Sequence, residues 1–162
     1  MDERIKEILA KGLGEGYVGK SIRGETSRAG FDLETSDYQG PEGRYHDEWA
    51  AAHQNGGGQE MIETVNGEKA TRVYAGGSLD EEKLKGFGIT GKDVIGKLIL
   101  FVNRLESKTR LDQNAESTDG EWIYTYKILK SVKEIPVEIG EEEIRFRGNL
   151  VFVHYHINSP VR

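Results

Sequence analysis

The strongest constraint on the fold is a two-residue alternation of side chains that recurs in short runs separated by turn residues. Trp122, Tyr124, Tyr126 and Ile128 fall at every second position of one run. Tyr45, Asp47 and Trp49 do so in another, with Arg44, His46 and Glu48 on the opposite face. Phe31, Leu33 and Thr35 alternate, as do Ile144 and Phe146 among charges. Leu150 to Ile157 carries apolar residues on both faces, which predicts a central strand. Asn66-Gly67 sits between Gln59–Val65 and Glu68–Ala75, and that dipeptide predicts a hairpin with a type I′ turn.

Helical spacing appears in three places. Ile5, Ile8, Leu9 and Leu13 form one stripe, predicting a helix from Asp2 to Leu13 that Gly12, Gly14 and Gly16 end. Ser78-Leu79-Asp80-Glu81 fits a capping box ahead of a short helix over 79–85. Thr90 caps a longer helix, about 90–105, whose wide apolar face includes Val94, Leu98 and Val102. Residues 14–30 read as a flexible glycine-rich loop, and Lys108 to Gly120 as a polar loop.

The expected architecture is therefore one α+β domain over residues 1–162, with its core in 31–162. A curved antiparallel sheet of six to seven strands packs on the 90–105 helix, with the N-terminal and short helices beside it.

The chain has no cysteine, so disulfides, thiolate metal sites and a cysteine nucleophile are excluded. Its net charge of -6 disfavours a phosphate backbone as partner. The start Met1-Asp2-Glu3-Arg4 lacks the apolar core of a signal peptide. Leu98 to Val102 is the longest apolar run, far short of the about 20 residues that cross a bilayer. A cytoplasmic protein without membrane or nucleic-acid partners is expected.

Three groups of residues could carry chemistry. Gly14 to Ser21 matches the phosphate-loop pattern through Gly14, Gly19, Lys20 and Ser21. That mechanism needs a strand before the loop and a helix after it, and here a helix precedes it. His154 and His156 share a strand face, and with His46 and Glu60 they form a candidate metal or acid–base set. Trp122, Tyr124 and Tyr126, with Trp49 and Tyr155, form an aromatic wall that suits either a ligand pocket or a core. This wall is expected on the face opposite the histidines. Glu141-Glu142-Glu143 reads as a solvated turn.

Gly43-Arg44-Tyr45-His46-Asp47-Glu48-Trp49, Gly58 to Ile62, Tyr74 to Gly77, Gly120 to Tyr124, and Gly140–Gly148 leading to Leu150–His156 resemble the domain-of-unknown-function family 5680. The chain departs from that pattern at Glu68–Arg72, where such members tend to carry Pro and Trp, and at His156-Ile157-Asn158, where they tend to end His-Gly-Gly. Some members look joined to helix-turn-helix regulators, so the resemblance implies a sensing or accessory domain. It carries no catalytic residues with it.

The residues together point to a non-catalytic domain that binds a small molecule or a partner protein, without a cofactor. A histidine-based or metal-dependent enzyme, and nucleotide binding through Gly14–Ser21, are the alternatives.

Overall fold

The computed structural model describes the backbone of residues 3–18, 22–50 and 54–162, and all of their side chains except those of 13–18. The protein is mainly sheet. Helix α1 (Glu3–Val18) is followed by β1 (Ile22–Arg28), β2 (Phe31–Gly40), β3 (Gly43–Ala50), β4 (Asn55–Thr64) and β5 (Lys69–Ser78). Two helices intervene, α2 (Glu81–Gly86) and α3 (Gly91–Leu105), then a single 3-10 turn (Glu106–Lys108). The chain closes with β6 (Ala115–Asp119), β7 (Trp122–Val132), β8 (Val137–Phe146) and β9 (Asn149–Val161).

The strands form a nine-stranded sheet in the order β1-β2-β3-β4-β5-β9-β8-β7-β6, and every pair is antiparallel. The chain walks outward-to-centre through β1–β5, crosses to the far edge by way of α2 and α3, and walks back. Strand β9 consequently lies beside β5 in the interior of the sheet, as the apolar residues on both of its faces require.

Both long helices cover the same sheet face. Val94, Leu98, Phe101 and Val102 of α3 pack with Trp122, Tyr124, Ile144 and Phe152. Ile5, Ile8 and Leu9 of α1 pack with Tyr45, Ile62 and Ala70 in a second, separate cluster. Two apolar cores thus sit on one sheet, each under its own helix. No helix among the described residues is long and apolar enough to cross a membrane.

The expected six to seven strands are nine among the described residues. Strand β1 occupies Ile22–Arg28, within the segment read as a loop, and pairs with β2 along its length. It is an edge strand with mostly exposed side chains, so no burial imposes alternation on its sequence. Strand β6 likewise lies in the segment read as the Lys108–Gly120 loop. The short helix is capped by Asp80, whose Oδ1 accepts from the Lys83 N–H at 2.9 Å, rather than by Ser78. The Thr90 capping box forms as the sequence predicts, with Asp93 as its reciprocal partner.

The Asn66-Gly67 hairpin exists, but its turn is different. The Gly67 N–H donates to the Thr64 carbonyl, the Thr64 N–H to the Glu68 carbonyl, and only Gly67 has positive φ. This is a three-residue loop with a bulge, not a two-residue type I′ turn.

Helix α1 runs through Gly12 and Gly14 to Val18 instead of ending at them. Gly12 has a packing role: a Cβ there would overlap the ring of Tyr45. Helix propensity alone would make Gly12→Ala stabilising by about 1 kcal/mol. Tyr45 is held in place beneath, its hydroxyl donating to Glu60 at 2.7 Å, so the ring has no room to yield. Gly12→Ala is expected to destabilise the protein by roughly 1–3 kcal/mol in urea unfolding, opposite in sign to propensity.

Candidate functional site: a cleft over a buried charge relay

Between the two apolar cores the sheet carries polar side chains on the same covered face. The strand register places them in rows. Asp47, Glu60, Arg72 and Asn158 form one row across β3, β4, β5 and β9. Trp49, Gly58, Tyr74 and His156 form the next. Gly76, His154, Glu142 and Tyr126 form a third across β5, β9, β8 and β7.

The charges in these rows are linked. Arg72 is fully buried and grips Glu60 with two nitrogens, Nη2 at 2.6 Å from Oε1 and Nε on Oε2. Its third nitrogen, Nη1, donates to the main-chain carbonyl of Arg110 at 2.9 Å. Arg110 in turn makes a bidentate pair with Glu142, at 2.7 and 2.8 Å. The Tyr124 hydroxyl donates to Glu142 at 2.7 Å and lies 2.5 Å from Thr109 Oγ1. The relay therefore runs from Tyr45 through Glu60, Arg72, Arg110 and Glu142 to Tyr124 and Thr109. Arg110 adopts φ 60°, a strained conformation for a side-chain-bearing residue, held by these bonds.

Burial and partners set the protonation states. Burial opposes ionisation of Glu142, but Arg110 and the contact with His156 outweigh it and hold the carboxyl well below its usual range. Arg72, outweighing burial, lowers Glu60. Asp47 has no cation of its own among the described residues. Its carboxylate receives only the Tyr74 hydroxyl, at 3.1 and 3.3 Å, and burial plus the Glu60 charge push it up to about 8. Burial drives His154 down to about 3 and lowers His156, so both imidazoles are neutral near pH 7.

Above these groups lies a cleft of about 750 Å³ between the sheet centre and α3. Asp47, Tyr74, Arg110, His154 and His156 make its floor. Trp49, Ile95, Leu98, Ile99 and Phe152 make its apolar walls. His156 is almost completely buried; its Nε2 stands 3.5 Å from Glu142, and its Nδ1 has no hydrogen-bond partner among the described residues. The ring of His154 packs 5.6 Å from Tyr74 and 4.5 Å from Phe152. Gly76, at φ 148°, lets β5 pass close to that ring, since a Cβ there would strike both His154 and the Val153 carbonyl.

The structure redistributes the residues expected to act together. His154 and His156 are neighbours, 5.9 Å between ring centroids. His46 projects from the other sheet face, where Nδ1 is 2.7 Å from Asp37, so it does not join them. Glu60 shares their face but is committed to Arg72 and Tyr45. Trp122, Tyr124 and Tyr126 stand on the histidine face rather than opposite it, and they are buried in the α3 core or beside it. Of the five aromatic candidates only Trp49 lines the cleft, while Tyr155 points to the other face and donates to Glu141 at 2.7 Å. Glu142, within the run read as a solvated turn, is fully buried. Gly14 falls in α1, whereas Gly19, Lys20 and Ser21 lie outside the described residues. Helix α1 precedes that segment and strand β1 follows it, the reverse of the order a phosphate loop requires.

Among the described residues, Glu142, His154 and His156 bring potential metal ligands within 4.8 Å of one another. The donor set does not fit a cation. Both Glu142 oxygens accept from Arg110, whose guanidinium would stand beside the ion.

No family model matches the chain, and no curated protein or solved structure matches it.

Asp47, Arg72, Tyr74, Arg110 and Glu142 are the site residues that sequence reasoning passed over. Ala70, Arg72 and Tyr74 alternate on one strand face, so a charge flanked by apolar neighbours was the available signal for Arg72. Removing one partner of a buried pair strands the other, typically at a cost of about 3–5 kcal/mol. Arg72→Met is expected to destabilise by that amount in urea unfolding, and adding Glu60→Gln to recover much of the loss.

Proposed function

We propose that the chain is a non-catalytic small-molecule-binding domain whose ligand occupies the cleft between α3 and the sheet centre. One observation carries the reading: an apolar-walled cleft of about 750 Å³ ends on buried polar groups that include His156, whose Nδ1 has no hydrogen-bond partner among the described residues. Ligand sites commonly combine apolar walls with a few convergent polar groups. Unsatisfied buried nitrogens are costly in an empty protein and become useful when a ligand meets them. The resemblance to family 5680, through its regulator-linked members, is compatible with ligand sensing.

A second reading is favoured by the proton state of one floor residue. Asp47, pushed up to about 8, holds its proton near neutrality, in the range where a side chain serves as a general acid or base. Under that reading the bound molecule is converted on incubation; under the first it is recovered unchanged.

Gly96 provides a test. It lies on the cleft side of α3, and a Cβ there meets nothing within 4 Å. Gly96→Phe should fill the cleft without loss of stability, because a glycine is replaced within a helix. A thermal-shift screen of small organic molecules is expected to find stabilisers of the wild type that leave Gly96→Phe unmoved. Saturating ligand at about 100 times its Kd should stabilise by about 2.7 kcal/mol. Equal shifts in both proteins, or none in the wild type, would contradict the proposal.

A further inference from the structure

We infer that the cleft selects a small organic cation, an ammonium or amidinium head on an apolar body, with the Asp47 carboxylate as its counter-ion. The inference rests on the ligand-binding reading of the cleft and supplies the ligand's chemical class.

Among the described residues of the covered face, three buried carboxyl groups, Asp47, Glu60 and Glu142, face two buried guanidinium groups. Glu60 is closed by Arg72 and Glu142 by Arg110, each through two hydrogen bonds. Asp47 is left with a phenol. Neither arginine has a spare charge for an anionic ligand, and both histidines are neutral. At the mouth, Lys92 is exposed, and Glu81 accepts from the Gly91 N–H at 2.9 Å. Once Asp47 ionises, the described interior is one positive charge short, and a ligand can bring it.

The walls suit such a head. Trp49 projects from β3 two residues beyond Asp47 on the same face, and Tyr74 holds the Asp47 carboxylate. Aromatic faces attract cations, most strongly where water is excluded. The aliphatic side chains of Ile95, Leu98 and Ile99 offer the apolar body a place against α3.

The count fixes the sign of a pH dependence. The described groups around Asp47 are Tyr45 from β3, Glu60 from β4, Arg72 and Tyr74 from β5, His156 from β9 and Arg110 from the segment after α3. Among them only Asp47 is poised to lose a proton between pH 7 and 9. A cation requires it ionised, so the proton must leave on binding, and affinity rises as pH passes about 8.

Three probes with one body and different heads test this: cyclohexylamine, cyclohexanol and cyclohexanecarboxylate, titrated calorimetrically into wild-type protein. An alkylammonium titrates near pH 10, like lysine, and stays charged through the range. The amine is expected to bind at least tenfold more tightly than either other probe, and about tenfold more tightly at pH 9 than at pH 7. Asp47→Asn should abolish the preference. Equal or tighter binding of the alcohol or the carboxylate overturns the inference, as does an amine that binds more weakly at pH 9. If none of the three binds while the Gly96-dependent screen finds a ligand, the cation class is wrong and the cleft reading stands. If that screen is also empty, both fall.

Discussion

Two buried arginine–glutamate pairs, joined through the main chain of Arg110, hold the two halves of the covered face together. One half is β2–β5 under α1, and the other is β6–β9 under α3. Their apolar cores are separate clusters; the β5–β9 ladder joins the halves through the main chain, and the relay from Glu60 to Glu142 joins them through side chains. Desolvating four charged groups is expensive, and an apolar replacement of similar shape is often as stable. Here the relay does more than pair charges: through the Arg72 bond to its carbonyl it fixes the Arg110 backbone at positive φ, and so sets the path of the chain from α3 into β6.

The cleft follows from the same arrangement. A continuous apolar core would have drawn α3 down over the centre of the sheet. A polar centre instead leaves room beside the helix, and Gly57, Gly76 and Gly96 among the lining residues keep it open. By consuming both guanidinium groups, the relay leaves Asp47 without a counter-charge at the cleft floor, while burial keeps the imidazoles proton-free.

Much of the fold is legible in the sequence because local rules suffice for it. The 3.6-residue stripe and capping box of α3, the hairpin at Asn66-Gly67 and the central position of β9 all arise from nearby residues. The site is less legible because it depends on register. A two-residue turn at Asn66-Gly67 would set Glu60 opposite Val73. The actual bulged turn sets it opposite Arg72, and one residue decides which face a charge occupies. Glu142 was hidden in a run of three glutamates, two of which are only half-buried; its burial is dictated by Arg110, a residue in a segment without periodicity. Histidine spacing correctly placed His154 beside His156 but could not reveal that His46, on a distant strand, faces the other way.

The central claim is the division of three carboxylates between two guanidinium groups, with Asp47 the one left over. Carbon-detected NMR titration of the side-chain carboxyls measures it directly. The account predicts an Asp47 midpoint at about 8, with Glu60 titrating below its ordinary value and Glu142 well below it. An Asp47 midpoint near its ordinary value of about 4 would contradict it.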